Sequence, residues 1–194
     1  TLTGEGLQHA DGHSPLLAST NTAVISYDPA YGYEIAHIIR SGIERMYGGA
    51  HKDPNVMYYL TVYNEPIVQP AEPENVDVDG IIRGIHRVSE NHFEGTKAQL
   101  LASGVAVPWA YEAQKLLQDD WGVSADIWSV TSWTELRRNG LKRDEFKFLN
   151  PSAEVPDAYV THKLADAKGP FLGVSDYMHA VQDQIRPWVP GDYA

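Results

Sequence analysis

The stretch that decides the fold is TAVISYDP, at residues 22–29. Its first six residues include β-branched and aromatic side chains and no charge, which is typical of a buried strand. The Asp28-Pro29 pair that follows predicts the start of a helix, with Asp28 as the cap and Pro29 at the first helical position. A strand that leads directly into a helix is the repeating unit of α/β proteins.

The predicted helix runs from about Ala30 to Tyr47 and ends at Gly48-Gly49. Apolar residues recur at intervals of three and four, so we expect one face to contact the core: Ala36, Ile39, Ile43 and Met46. Polar residues recur with a similar spacing, and we expect them on the opposite face: Glu34, His37, Arg40 and Glu44.

Strands and helices continue to alternate toward the C terminus. Further strands are predicted at residues 56–62, 98–102, 126–130 and 171–174. Helices are predicted from Pro108 to Gly122 with a core face of Trp109, Ala113, Leu116 and Leu117, over 131–138 with an end at Asn139-Gly140, and near 177–184. A helical turn and an edge strand are expected between Gly80 and Val88. The alternation predicts an α/β fold with mostly parallel sheets, and the irregular stretch 64–96 is the expected domain boundary.

Composition and charge exclude several classes of protein. The 194 residues include 15 Lys and Arg against 26 Asp and Glu, a formal net charge of −11. This balance argues against nucleic acid and against an anionic membrane surface as partners. The absence of cysteine excludes a disulfide scaffold and a thiolate metal site. Because the chain starts at Thr1 without an initiator Met and residues 190–194 close no obvious element, we expect both ends to be cuts inside a longer polypeptide.

The densest group of chemically capable residues is His9-Ala10-Asp11-Gly12-His13. Two imidazoles and a carboxylate could bind zinc, although no further ligand motif lies nearby in sequence. The same residues could be exposed histidines of a surface loop. A third interpretation is a substrate loop, in which a histidine donates a proton or a hydrogen bond and the glycine allows close approach of the backbone.

A second candidate follows the predicted strand 56–62. Tyr63-Asn64-Glu65-Pro66 lies where the carboxyl end of a parallel strand would place ligand contacts, but it is equally an ordinary turn. The sequence has no P-loop, no Gly-rich dinucleotide fingerprint and no nucleophile elbow. The residues by themselves therefore indicate an α/β enzyme fragment without deciding its site.

Longer motifs carry a resemblance to a known family. GEGLQHADGHS, at residues 4–14, is similar to the loop G-E-G-L-Q-H-x-D-G-H-S of the homodimeric bacterial pyruvate dehydrogenases. ISYDPAY at 25–31, with Tyr33-Glu34 and then Gly42 and 44–48, resembles the strand and helix that follow in that family. Ser129-Val130-Thr131-Ser132, with residues 134–136, resembles its C-terminal domain.

The resemblance implies a transketolase-like fold and a homodimer. It implies that residues 1–95 are the C-terminal part of the thiamin pyrimidine-binding domain and that residues 96–194 are the first part of the C-terminal domain. The implied activity is the decarboxylation of pyruvate with thiamin diphosphate and Mg²⁺, followed by reductive acetylation of lipoyl groups on the dihydrolipoyl acetyltransferase core, in the cytoplasm. The protein chain supplies binding and orientation in such enzymes, because the cofactor carries the chemistry.

The family assigns roles to few residues of this chain. His9 matches the histidine at the reacting end of the thiamin and is the expected catalytic residue, with a hydrogen bond to the carboxylate or hydroxyl of the first pyruvate adduct. His13, Asp11 and Asn64 are expected to contribute to substrate binding, and Asp11 to orient an imidazole. The Gly-Asp-Gly…Asn signature for Mg²⁺ and diphosphate is absent, so we expect cofactor to be bound mainly by other parts of the polypeptide and this piece alone to be inactive. Another thiamin enzyme of transketolase type and a non-catalytic interaction module are the alternatives.

Overall fold

The structure is a computed structural model that describes residues 6–48, 52–64 and 66–194. Gly4 and Glu5 of the first motif, the expected helix stop at Gly49, and Glu65 lie outside the described residues. Within the described part the helices are α1 (Ser14–Ala18), α2 (Gly32–Tyr47), α3 (Val78–Arg83), α4 (Ala106–Trp121), α5 (Trp133–Leu149), α6 (Tyr159–Lys163) and α7 (His179–Gln182). The strands are β1 (Val24–Tyr27), β2 (Met57–Leu60), β3 (His86–Ser89), β4 (Thr96–Ala102), β5 (Val123–Ser129) and β6 (Phe171–Val174).

The strands form two sheets. β1 and β2 make a parallel pair, and the second sheet has the order β3-β5-β4-β6. β4 lies parallel to both β5 and β6, whereas β3 is an antiparallel edge strand. The predicted α/β fold with mostly parallel sheets is confirmed, and so are the helical turn and edge strand expected between Gly80 and Val88.

β3 connects the two halves of the sequence. It lies on the N-terminal side of the expected boundary at residue 95, yet it pairs with β5 on the other side of that boundary. The division of the chain at residues 95 and 96 stays a prediction.

The start of α2 differs from the prediction. The helix begins at Gly32, so Asp28 is not its cap and Pro29 does not lie in its first turn. The carboxylate of Glu34 instead accepts hydrogen bonds from the backbone N–H groups of Ala30 at 2.6 Å and Tyr31 at 3.1 Å. This side chain satisfies donors that a helix start leaves without partners.

The expected core face of α2 is also wrong. Ile39 and Ile43 are about half exposed, at 48% and 54%, while Glu34 is fully buried together with Ile38. Four donors make the burial of this carboxylate possible, because His86 Nε2 at 2.7 Å and Ser129 Oγ at 2.6 Å complete its hydrogen bonding. Apolar periodicity could not detect this arrangement, since the partners come from β3 and β5.

Two further helices depart from their predicted bounds or faces. α4 begins at Ala106 rather than Pro108, and Trp109 and Leu116 of its expected core face are 51% and 59% exposed. α5 does not end at Asn139-Gly140 and continues to Leu149. A Cβ at Gly140 would lie 2.4 Å from the Trp188 ring, so glycine leaves room there for that ring. The short helix α6 had no sequence prediction.

The final residues also have a place in the fold. Phe171 N–H donates to Asp192 O at 2.7 Å and Gly173 N–H donates to Ala194 O at 2.8 Å, which extends the sheet beside β6. The expectation that residues 190–194 close no element is therefore wrong. One apolar core lies under α5 and α6 with Leu101 and Trp128, and another lies between α4 and the opposite sheet face. Among the described residues, no helix combines the length and the apolar character that crossing a membrane requires.

Candidate functional site

The loop with the two candidate histidines, residues 9–13, is called the motif loop. It follows a 3₁₀ turn at Leu7–His9 and leads into α1. His9 and His13 are exposed, and Asp11 is partly buried. His13 O accepts hydrogen bonds from Leu16 and Leu17 N–H at 3.0 Å each, so the second histidine lies at the start of α1.

Asp11 organises this loop through the backbone. Its Oδ1 accepts from His13 N–H at 3.0 Å and from Ser14 N–H at 2.9 Å. Burial is the largest influence and would raise the pKa of Asp11, but hydrogen bonds from Ser14 and His13 and the charge of the His13 ring together lower it below the ordinary value. Asp11 is thus an ionised acceptor that fixes the turn between the two histidines.

The motif loop is attached to the end of β6. Gly12 O accepts a hydrogen bond from Met178 N–H at 2.8 Å. Met178 follows β6 by four residues, and the carboxyl ends of parallel strands are where α/β proteins place ligand contacts. The motif loop is therefore held by the segment that follows β6, and the roles of His9, Asp11 and His13 stay predictions.

A group of polar side chains, buried or partly buried, lies beside this attachment. We call it the Asp28 cluster: Asp28, Thr61, Tyr63, Ser103 and Tyr177. The Asp28 side chain, in a residue only 4% exposed, is its centre. Oδ1 accepts from Thr61 Oγ1 at 2.6 Å and from Tyr63 OH at 2.8 Å, and Oδ2 accepts from Ser103 Oγ at 2.7 Å. The phenol of Tyr177 lies beside these hydroxyl groups, since Thr61 and Tyr63 influence its pKa.

Proton affinity in the Asp28 cluster is shifted upward. Burial raises the pKa of Asp28, against the opposing hydrogen bonds from Thr61, Ser103 and Tyr63, and the nearby charge of Asp176 raises it further. Burial also raises the pKa of Tyr63, which Asp28 and Tyr177 reinforce, so this phenol stays a hydrogen-bond donor. The cluster is a set of hydroxyl donors around one carboxyl group.

Gly104 is required at its position by this cluster. Its φ of +52° lies in the left-handed region, and a Cβ there would come within 2.5 Å of both Asp28 Oδ1 and Tyr63 OH. Gly104 N–H also donates to Asp28 O at 3.0 Å. The turn after β4 can therefore approach Asp28 only without a side chain.

Asn64 lies next to the cluster but outside it. The residue is exposed and directly follows Tyr63, whose ring borders a cavity of about 120 Å³ together with Val62, Ile67 and Val105. A larger cavity of about 860 Å³ lies elsewhere and is lined by Lys97 and Gln99 of β4 and by Asp126 and Trp128 of β5, among others. Neither of these two cavities is lined by His9, Asp11, His13 or Asn64.

The zinc interpretation of the motif loop finds no support. Within residues 6–48, 52–64 and 66–194, no group of three or more His, Cys, Asp or Glu side chains could hold a metal ion.

Sequence reasoning missed most of the Asp28 cluster, although a signal was available. Asp28, Thr61 and Ser103 each directly follow a strand, and Tyr177 comes three residues after β6. Polar residues at the carboxyl ends of parallel strands meet at one edge of a sheet. The prediction instead assigned Asp28 to a helix cap and named only Tyr63 and Asn64 from this region.

Comparisons with known proteins agree on one family. The family profile described as "Pyruvate dehydrogenase E1 component middle domain" matches residues 1–70, and "Transketolase-like TK C-terminal domain" matches residues 84–192. The chain is 57% identical over its whole length to the pyruvate dehydrogenase E1 component of Mycolicibacterium smegmatis, and 43% identical over 99% of its length to that of Escherichia coli K12. It spans about 21% of the length of each of these relatives.

Solved structures show the same fold at low identity. Transketolase from Campylobacter jejuni superposes with a TM-score of 0.57 at 16% identity over 92% of this chain and 22% of that protein. Transketolase from Leishmania mexicana gives a TM-score of 0.55 at 13% identity over 94% of this chain and 22% of that protein. The fold is transketolase-like, and the chain belongs to the family of pyruvate dehydrogenase E1 components.

Proposed function

We propose that the intact protein containing this chain decarboxylates pyruvate with thiamin diphosphate and Mg²⁺ and transfers the acetyl group to lipoyl groups of a dihydrolipoyl acetyltransferase. The observation that carries the proposal is the 57% identity, over the whole chain, to a protein named pyruvate dehydrogenase E1 component. The homodimer, the acetyltransferase partner and the cytoplasmic location belong to the same proposal. Thiamin diphosphate, when bound, supplies the nucleophilic carbon and the electron sink of the reaction.

The motif loop is the part of this chain that we assign to the active site. His9 is exposed, in a loop attached to the carboxyl end of β6, which suits a side chain that donates a hydrogen bond to the carboxylate or hydroxyl derived from pyruvate. Asp11 holds the turn between the two histidines. His13 and Asn64 are proposed as further substrate contacts, with the remaining walls contributed by polypeptide outside these 194 residues.

Mutation of His9 in the intact enzyme tests the proposal. His9→Ala should lower the rate of pyruvate decarboxylation by roughly 10²- to 10⁴-fold, the usual contribution of a positioned acid or base. The rate is measured with pyruvate and an artificial electron acceptor, so that no acetyltransferase is needed. His92→Ala, at another exposed histidine, is the matched control and should leave the rate unchanged.

The alternatives predict different results. A wild-type enzyme that acts on sugar phosphates and not on pyruvate would identify a transketolase, for which the likeness at 13% to 16% identity supports the fold alone. A wild-type protein with neither activity would favour an interaction module. Equal rates for His9→Ala and wild type would return His9 to the interpretation of an exposed loop residue.

A further inference from the structure

We propose that Asp28 is a positioning residue, which sets the motif loop by joining the carboxyl ends of β1, β2 and β4 to the segment after β6. The inference rests on the proposed function, because the motif loop is assigned there to the active site. It concerns a residue that makes no direct contact with substrate in the proposal.

Several chain segments converge on the carboxyl group of Asp28. Thr61 and Tyr63 follow β2 and Ser103 follows β4, and all three donate to Asp28 within 2.8 Å. Gly104 N–H and Thr131 O bond to the Asp28 backbone at 3.0 and 2.8 Å. Three strand ends and the segment after β5 are thus held by one residue.

A path of contacts leads from Asp28 to the motif loop. Ser103, which donates to Asp28, also donates its N–H to Val174 O at 3.1 Å, at the end of β6. The phenol of Tyr177 lies beside Tyr63 and raises its pKa, and the next residue, Met178, donates its N–H to Gly12 O at 2.8 Å. Asp28 is therefore linked to the segment that holds the motif loop through Ser103 and through the neighbouring phenols of Tyr63 and Tyr177. A displacement of about 1 Å at a catalytic group can lower the rate by a factor of ~10². A small shift of the motif loop would therefore be enough to lower the rate.

The two carboxylate oxygens of Asp28 accept from different donors. Both donors on the path from β2, Thr61 and Tyr63, bind Oδ1, whereas Ser103 binds Oδ2. Asparagine can present its oxygen at the Oδ1 position and its amide to Ser103 Oγ, a hydroxyl that can also accept. Asp28→Asn should therefore preserve the path to Tyr177, and Asp28→Ala should remove it.

The experiment compares Asp28→Ala, Asp28→Asn and Tyr63→Phe in the intact enzyme. Tyr63→Phe keeps the ring but removes the hydroxyl, and it serves even where Asp28→Ala does not fold. Tyr111→Phe is the matched control, because its hydroxyl donates to Val88 O at 2.9 Å, away from the Asp28 cluster. The measurements are the melting temperature, kcat, KM for pyruvate, and hydrogen exchange of peptides covering residues 6–18 and 172–182.

Tyr63→Phe should increase exchange in both peptides and lower kcat by roughly 10- to 100-fold with little change in KM. The exchange rates and kcat of Asp28→Asn should lie between those of the wild type and of Asp28→Ala. Tyr63→Phe should change kcat less in a Tyr177→Phe background than in the wild type, because the two residues act in one path. Tyr111→Phe should change neither exchange nor kcat.

Unchanged exchange of peptide 6–18 in Tyr63→Phe would overturn the inference, and so would a kcat loss equal to that of Tyr111→Phe. The exchange measurement does not depend on activity. Absence of pyruvate decarboxylation in the wild type would refute the proposed function, while the exchange data would still decide whether Asp28 sets the motif loop.

Discussion

Replacing Glu34 by alanine should open the junction between α2 and the four-stranded sheet. The side chain is 0% exposed and accepts four hydrogen bonds, from Ala30 N–H, Tyr31 N–H, His86 Nε2 and Ser129 Oγ. Removing the carboxylate leaves all four donors without this acceptor, and three of them lie in buried residues: Tyr31, His86 and Ser129. The lost hydrogen bonds would destabilise the start of α2 together with β3 and β5.

The magnitude follows from the donors. Loss of the helix-start interactions costs about 1 kcal/mol, and each buried side-chain donor left unpaired costs at least about 1 kcal/mol. The sum of about 3 kcal/mol corresponds to roughly a 100-fold change in the local opening equilibrium. Glu34→Gln should cost less, because its oxygen can face the backbone donors while its amide faces His86 and Ser129, which can both accept.

Hydrogen exchange with mass spectrometry on the intact protein measures this opening, in peptides covering residues 28–36 and 84–90. Glu44→Ala is the matched control, since Glu44 lies on the same helix and is exposed. We expect exchange to be fastest in Glu34→Ala and slower in Glu34→Gln. Glu44→Ala should exchange at the wild-type rate. The reasoning is refuted if Glu34→Ala and Glu44→Ala exchange equally in these peptides.

Two further predictions concern packing and pH. Gly140→Ala should lower the free energy of unfolding by about 1–3 kcal/mol, because its Cβ would displace the Trp188 ring, and this outweighs the better helix propensity of alanine. Calorimetry measures the change, with Lys142→Ala at an exposed position of α5 as the control. The raised pKa of Asp28 means that its contribution to stability is fully present below its ordinary value of 3.8 and is lost as pH rises through the folded-state value. The melting temperature of Asp28→Asn relative to wild type should therefore increase from about pH 4 upward, and a difference independent of pH would contradict the shift.

The order of elements was predictable from local sequence because strand composition and turn residues are local signals. β1, β6 and the α3–β3 pair were found in this way. Helix faces were less predictable where a polar residue is buried. Glu34 has donors from residues 86 and 129, far along the chain, and no periodicity of α2 encodes them.

Glycine at 140 illustrates a second limit. Within a local window, Asn139-Gly140 is a helix stop, but in the structure Asn139 Oδ1 accepts from Tyr159 N–H at 2.6 Å and Gly140 admits the Trp188 ring. Both residues serve tertiary contacts inside a continuous helix. The sequence pattern identified unusual positions correctly and assigned them the wrong role, since it contains no information on the approaching partner.

The placement of the motif loop has a physical reason in the topology. Asp28, Thr61 and Ser103 follow strands from two different sheets, so the carboxyl ends of both sheets meet at one carboxyl group. Such an edge offers unpaired backbone groups and polar side chains to a ligand. In this chain hydroxyl groups occupy the interior of that edge, and the exposed histidines of the motif loop lie on the segment attached to it. Under the proposed function, the position of His9 depends on this edge and hence on Asp28, so Asp28 is expected to influence the rate without contacting the substrate.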